Sequence, residues 1–188
     1  MINNKTTAPF WLLVSLILFA AFSRIVPHTP NFSPLGAIAV FGAAYFTQKW
    51  KAFVIPLTAT WLSDLFINNV IYHANYPSFT WLSTGFYWQY GAYILITLAS
   101  LFILKSVTNT RIILGSLTAT VLFFLVSNFG CWPGNYYPQT AAGLMQCYAA
   151  GIPFIKGTFL GDAFYTAVLF GAYQIISNKY LKGQEVKG

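Results

Sequence analysis

The chain is short of charge, and above all of acid. Its 188 residues include three acidic and ten basic side chains, 7% charged in all. A water-soluble domain carries about 25%, so an ordinary solvated surface is excluded. Two His and two Cys are present. They form neither C-x-x-C nor H-E-x-x-H, and His28 and His73 lie far apart. No metal site and no cofactor is expected from such a set. No G-x-x-x-x-G-K-[ST] occurs, so the chain lacks the phosphate loop with which to use ATP itself. No basic patch alternates with aromatics in the manner of a nucleic-acid surface, and no nucleic acid is expected as a partner. The net charge of +7 needs another explanation.

What is present is hydrocarbon. Hydrophobic residues make up 57% of the chain and mean hydropathy is +0.61. Apolar stretches at about 9–26, 52–72, 88–105, 111–128 and 155–177 approach or meet the roughly 17–25 residues that cross a bilayer as helix. A sixth, Pro34 to Phe46, is short and rich in small residues. It can cross only where the bilayer thins or neighbours shield its ends. The expected fold is an all-α membrane protein, a bundle of about six transmembrane helices in one transmembrane domain over residues 1–188. Lys5, the run Phe10 to Phe22, Ala20 and Ala21 loosely fit a signal peptide. The run continues through Arg24 to Val26, so it reads as an uncleaved first helix.

Six crossings explain the charge. One side then holds Lys5, Lys49, Lys51, Lys105, Arg111, Lys179, Lys182 and Lys187, and the other only Arg24 and Lys156. Basic residues accumulate on the cytoplasmic side. Both termini are therefore expected in the cytoplasm, with the protein in a bacterial inner membrane. The loops expected outside are aromatic. His73 to Trp88 holds Tyr76, Phe79, Trp81, Phe86 and Tyr87, and Cys131 to Ile152 holds Trp132, Tyr136, Tyr137 and Tyr148. Such rings suit an interfacial belt, and equally a lid over an outward pocket. Cys131 and Cys147 both fall in that last loop, where a disulfide is chemically permitted. Nothing in the sequence sets their distance.

Two of the three acids sit where hydrocarbon is expected. Thr60-Trp61-Leu62-Ser63-Asp64-Leu65-Phe66 is nearly repeated by Thr158-Phe159-Leu160-Gly161-Asp162-Ala163-Phe164. Ile55-Pro56-Leu57 precedes one copy and Ile152-Pro153-Phe154 the other. Placed on the third and sixth helices, the copies match a 3+3 inverted repeat with a site near the midplane. Chance similarity in an apolar, Phe-rich chain is the alternative. An ionisable group at this depth costs roughly 2.5–3.5 kcal/mol on insertion scales and needs a partner. Arg24 is the expected partner of Asp64, Asp162 or both, with Lys156 as a further structural option. Helical spacing places Trp61, Asp64 and Asn68 on one face, Thr158, Asp162, Tyr165, Thr166 and Tyr173 on another, and Ser116, Thr120 and Ser127 on a third. The Ser and Thr also suit plain helix packing, and Gly36, Ala39, Gly42 and Ala43 suit a close helix contact.

The string Arg24-Ile25-Val26-Pro27-His28-Thr29-Pro30-Asn31-Phe32-Ser33-Pro34-Leu35-Gly36-Ala37-Ile38-Ala39 resembles an uncharacterised family of bacterial membrane proteins described as candidate transporters. Ser63-Asp64, Ser127 to Trp132, Tyr137-Pro138, Gly143-Leu144 and Cys147-Tyr148 to Phe154 carry the same resemblance. That family is in turn similar to the substrate-capture (S) components of energy-coupling-factor vitamin transporters. The resemblance implies a six-helix membrane protein that binds a small nutrient from outside. It also implies an energising module of other chains, a membrane subunit with an ATPase. S components often show Ala-x-x-x-Ala on the first helix. Here that helix offers Ala20 and then Arg24, and the small-residue motif lies on the second.

The leading functional expectation is small-molecule binding for uptake, with the lipid bilayer and an energising partner around it. The expected substrate-binding residues are Arg24, His28, Asp64, Asn128, Trp132 and Asp162, facing one outward cavity. Arg24 would orient an anionic or carbonyl group, Asn128 would donate and accept, and Trp132 would stack on a ring. A structural or assembly protein of the cell envelope is the alternative. An enzyme is not expected: the two Asp lack the Gly-x-Gly-Asp context of intramembrane aspartyl proteases.

Overall fold

A computed structural model describes residues 9–76, 78–134 and 136–181. Lys5, Lys182, Glu185 and Lys187 of the charge pattern lie outside the described residues. Among those described, the chain is all-helical, with six α-helices. They are α1 (Phe10–Phe22), α2 (Leu35–Tyr45), α3 (Lys49–Phe66), α4 (Phe86–Ile103), α5 (Asn109–Cys131) and α6 (Ala141–Ile176). A 3-10 turn, Ser23–Ile25, extends α1, and wider π turns extend α3 and α6. Thr108 and Thr140 cap α5 and α6 by accepting from the Arg111 and Gly143 amides, as Thr does at helix starts.

The helices alternate in direction. Lys51 Nζ stands 4.8 Å from the Phe10 ring, joining the starts of α1 and α3, while Arg24 and Asp64 join their other ends. The connectors 26–34, 72–85 and 132–140 thus gather at one end of the bundle, hereafter the long-connector end. The short connectors 46–48 and 104–108 lie at the opposite end.

The small-residue run becomes the centre of the molecule. Every residue from Leu35 to Ala44 is buried, and α2 packs against all five other helices. With 11 residues it rises only about 16 Å. Its Gly and Ala side let the surrounding helices approach closely. Phe41 meets Phe170 edge-on at 5.3 Å, and Tyr45 lies 4.0 Å from Tyr173. Aromatic contacts between α2 and α6 thereby close the short-connector end.

Four helices are long and apolar enough to cross a membrane: α3 to α6 with their extensions. Between 22% and 33% of each spanning window is buried. The remainder exposes side chains such as Phe102, Ile113 and Ile175. An apolar surface so extensive would drive association in water, whereas lipid tails solvate it. The shorter α1 and α2 have 13 and 11 residues.

One expectation is corrected. The stretch Cys131 to Ile152 is not a loop. Cys131 ends α5, and α6 begins at Ala141 and runs 36 residues through Pro153. Gly143, Cys147, Gly151, Thr158, Asp162, Thr166 and Tyr173 are buried along its length. They form one continuous face at helical spacing, and packing of that face on α5 outweighs the helix-breaking tendency of the Gly and Pro. Neighbouring helices make an interior Pro tolerable in such a setting.

Candidate functional site

The two membrane carboxylates are answered in different ways. Asp64, on α3, receives Arg24 Nη1 at 2.6 Å from the turn after α1. The same Nη1 donates to Ser63 Oγ at 2.7 Å. Ser63 can accept because its own proton goes to Thr60 O at 2.8 Å. Tyr90, on α4, donates to the second Asp64 oxygen at 2.9 Å. Both charged side chains are largely shielded, at 15% and 14% exposure, which makes mutual neutralisation necessary at such a site. This cluster ties the end of α1 to α3 and α4.

Asp162, on α6, has no cation against it among the described residues. Its Oδ2 accepts from Thr120 Oγ1 of α5 at 2.7 Å. The carboxylate lies on the first turn of α2, within hydrogen-bonding reach of the Ala37 amide and directly over Gly36. A Cβ at Gly36 would overlap Oδ1. The first amides of a helix have no partners within it and carry partial positive charge. Pro34 precedes α2 without a side-chain cap, so a residue from the far end of the chain serves as one. At 2% exposure Asp162 is among the most buried groups of the protein. The near-repeated Asp residues therefore hold different helices together, through different chemistry.

A cavity of about 400 Å³ opens between α5 and α6 near the long-connector end. Phe123, Phe124 and Phe154 supply aromatic wall, and Ser127, Asn128 and Thr158 supply polar atoms. Asn31 and Tyr137 reach it from the connectors, and Cys131 and Cys147 are among its lining residues. Asn128 donates from Nδ2 to Phe124 O at 2.8 Å. Its Oδ1 lies over Gly151, where a Cβ would collide with it. Cys147 Sγ donates to Asn128 O at 3.1 Å, and Tyr148 donates to Leu125 O at 2.8 Å. These two contacts staple α6 to α5 beside the cavity. Cys131 and Cys147 are free thiols, the first exposed and the second buried.

The connector before α2 lies on α6. Side chains at Gly157 or Gly161 would strike the backbone of Pro30 and Ser33. Asn31 sits in the left-handed region, φ 61°, alone among described non-glycine residues. Asn tolerates that conformation better than most residues.

Of the six residues expected to bind substrate, Asn128 lines this cavity. Arg24 and Asp64 are paired to each other, and Asp162 is committed to α2 and Thr120. Trp132 lies in the turn after α5 and donates to Pro138 O at 3.0 Å. Gln139 Nε2 closes the same connector on Trp132 O at 2.7 Å. His28 is exposed, with Nδ1 2.6 Å from Val26 O. Tyr90 carries no sequence signal, and Thr120 stands out only as part of a polar stripe. Of the other cavity residues, Ser127 and Thr158 belong to the polar stripes of α5 and α6, and the rest, from α5, α6 and two connectors, share no pattern.

A family model matches residues 4–185. The chain belongs to DUF6580, a family of unknown function. No curated protein and no solved structure matches it.

For this member of DUF6580, the described residues include no group of three or more His, Cys, Asp or Glu able to hold a metal ion. The available chemistry is that of amides, hydroxyls, thiols and aromatic rings around a void.

Proposed function

We propose that the protein binds a small-molecule nutrient in the α5–α6 cavity, from outside the cell, for uptake. The observation that carries this reading is the cavity itself. Its volume falls in the roughly 300–1,000 Å³ range of ligand sites, and its apolar walls with a few convergent polar groups match their usual make-up. On this reading all six helices cross a bacterial inner membrane, α2 doing so within the shield of its neighbours. Lys49, Lys51, Lys105, Arg111 and Lys179 would then face the cytoplasm, where basic residues accumulate, and the long-connector end with the cavity would face outside. Uptake needs a partner ATPase, as the resemblance to S components implies, or an ion gradient, because the chain has no phosphate loop of its own.

Asn128 contacts the ligand. Arg24, Asp64 and Asp162 fix the helices that frame the cavity, and His28 and Trp132 belong to the connectors near its mouth. A structural role in the cell envelope is the second reading. It is favoured by one observation: both membrane carboxylates serve helix contacts. Mass spectrometry of ligand released from the purified protein separates the two. A single small molecule at near-stoichiometric yield supports uptake, and its repeated absence from material purified out of nutrient-rich cells supports the envelope role.

A further inference from the structure

We infer that the ligand of the α5–α6 cavity is an uncharged, ring-bearing molecule that offers N–H or O–H donors. This rests on the binding reading above and names the class of compound it takes. Among the described residues, none that lines the cavity is Asp, Glu, Lys, Arg or His. The buried charges of the bundle are already committed, and Lys156, next to Ile155 on α6, is exposed and not part of the lining. Arg24 and Asp64 neutralise each other at 2.6 Å, and Asp162 is held by Thr120 and the start of α2. An ionic ligand would leave water and meet no counter-charge among the described lining residues, and an unpaired ion in such surroundings is strongly disfavoured. A neutral ligand pays no such penalty.

The polar atoms add direction. Ser127 gives its proton to Phe123 O at 2.7 Å, so its oxygen is left as an acceptor. Asn128 Oδ1 has no donor among the described residues, while its Nδ2 is engaged by Phe124 O. Thr158 directs its hydroxyl toward Phe154 O at 3.5 Å. Acceptors therefore predominate along the α5 and α6 walls, and a bound group must supply hydrogens to them. The Phe123, Phe124 and Phe154 rings favour a flat apolar body beside those donors. Primary amides, ureido groups and hydroxyls on a ring fit this set. Carboxylates, phosphates and ammonium groups do not.

Cys147 offers a reporter. It is buried yet is among the cavity's lining residues, so the cavity is the expected route by which a reagent meets it. The experiment uses detergent-purified full-length Cys131→Ser protein, which leaves Cys147 as its single thiol. Modification rates are measured with three methanethiosulfonates: a neutral methyl, an anionic sulfonatoethyl and a cationic trimethylammonioethyl reagent. Each rate is divided by that reagent's rate with a small free thiol. The neutral reagent is expected to exceed both charged ones by at least about tenfold on this relative scale, as a charge-burial penalty requires. Nicotinamide at millimolar concentration is expected to slow the neutral reagent, and nicotinate is not. Equal or faster relative reaction of either charged reagent, or protection by nicotinate over nicotinamide, overturns the uncharged-ligand inference while leaving the cavity as a binding site. If the neutral reagent also fails at Cys147 but modifies the unfolded protein, the cavity is closed. In that case the binding reading itself falls, and this inference with it.

Discussion

The Asp162 carboxylate lies directly over the Cα of Gly36, at the first turn of the bundle's central helix. Neither residue can change alone without disturbing the other. Gly36→Ala places a methyl group where Oδ1 stands, and overpacking of this kind destabilises by roughly 1–3 kcal/mol. Asp162→Ala leaves Thr120 and the α2 amides without their acceptor. Asp162→Asn keeps the shape and one acceptor oxygen. The thermal midpoint in detergent should fall for all three variants, and least for Asn. An Asn variant as damaging as Ala would show that the negative charge, more than the acceptor geometry, holds α2.

Arg24 and Asp64 should behave as a pair. Removing one partner of a buried ion pair costs roughly 3–5 kcal/mol, because the other charge is left uncompensated. Arg24→Gln and Asp64→Asn should each lower folded yield strongly. The double variant should recover much of the loss, since Ser63 and Tyr90 can still hydrogen-bond the neutral amides. Fluorescence-detected size exclusion of the two single variants and the double variant checks this. Simple additivity would show that the two side chains are not energetically coupled.

Asn69 makes two of the hydrogen bonds that hold the 78–84 connector. Asn69 Oδ1 accepts from the Thr80 amide at 2.7 Å and its Nδ2 donates to Thr80 O at 2.9 Å. Trp61 adds a hydrogen bond to Trp81 O at 3.2 Å. Asn69→Ala should release the connector with little effect on the bundle. Limited proteolysis is expected to cut near Ser78 several times faster in the variant, with the thermal midpoint nearly unchanged. An unchanged cutting rate would assign the connector's order to its aromatic contacts instead.

The proposed orientation rests on the basic residues alone. Reporter fusions at Gly188 and near Lys49 should read cytoplasmic, and one near Ser78 external. An external reading at Gly188 would remove the six-span arrangement with cytoplasmic termini, and with it the argument that the cavity faces outward.

The scarcity of acid makes Arg24 legible in the amino-acid sequence as a partner of Asp64, Asp162 or both, and the structure selects Asp64. The run Gly36 to Ala43 likewise announces a tight helix contact, and α2 is packed on every side. The partner of Asp162 is not legible in the same way. Its positive end is the backbone of α2, which has no residue signature, and Thr120 looks like any packing hydroxyl. The start of α6 is obscured because Gly143, Gly151 and Pro153 read as loop residues by their preferences in water. The signal lies in their spacing: Gly143, Cys147 and Gly151 recur every four residues, in phase with Thr158 and Asp162. The cavity is hidden for a different reason. It is assembled from facing helices and connectors, and its defining property, the absence of charge, is shared with most of the chain.

The central claim is that the α5–α6 cavity holds a ligand. Ala150 lies in the cavity wall on an exposed stretch of α6, so Ala150→Trp fills the void with little disturbance of the core. The most direct measurement is mass spectrometry of small molecules released from wild-type and Ala150→Trp protein, purified side by side and matched for folded yield. The account predicts one uncharged, ring-bearing compound from the wild type and its loss from the variant. The same compound at the same yield in both would contradict it.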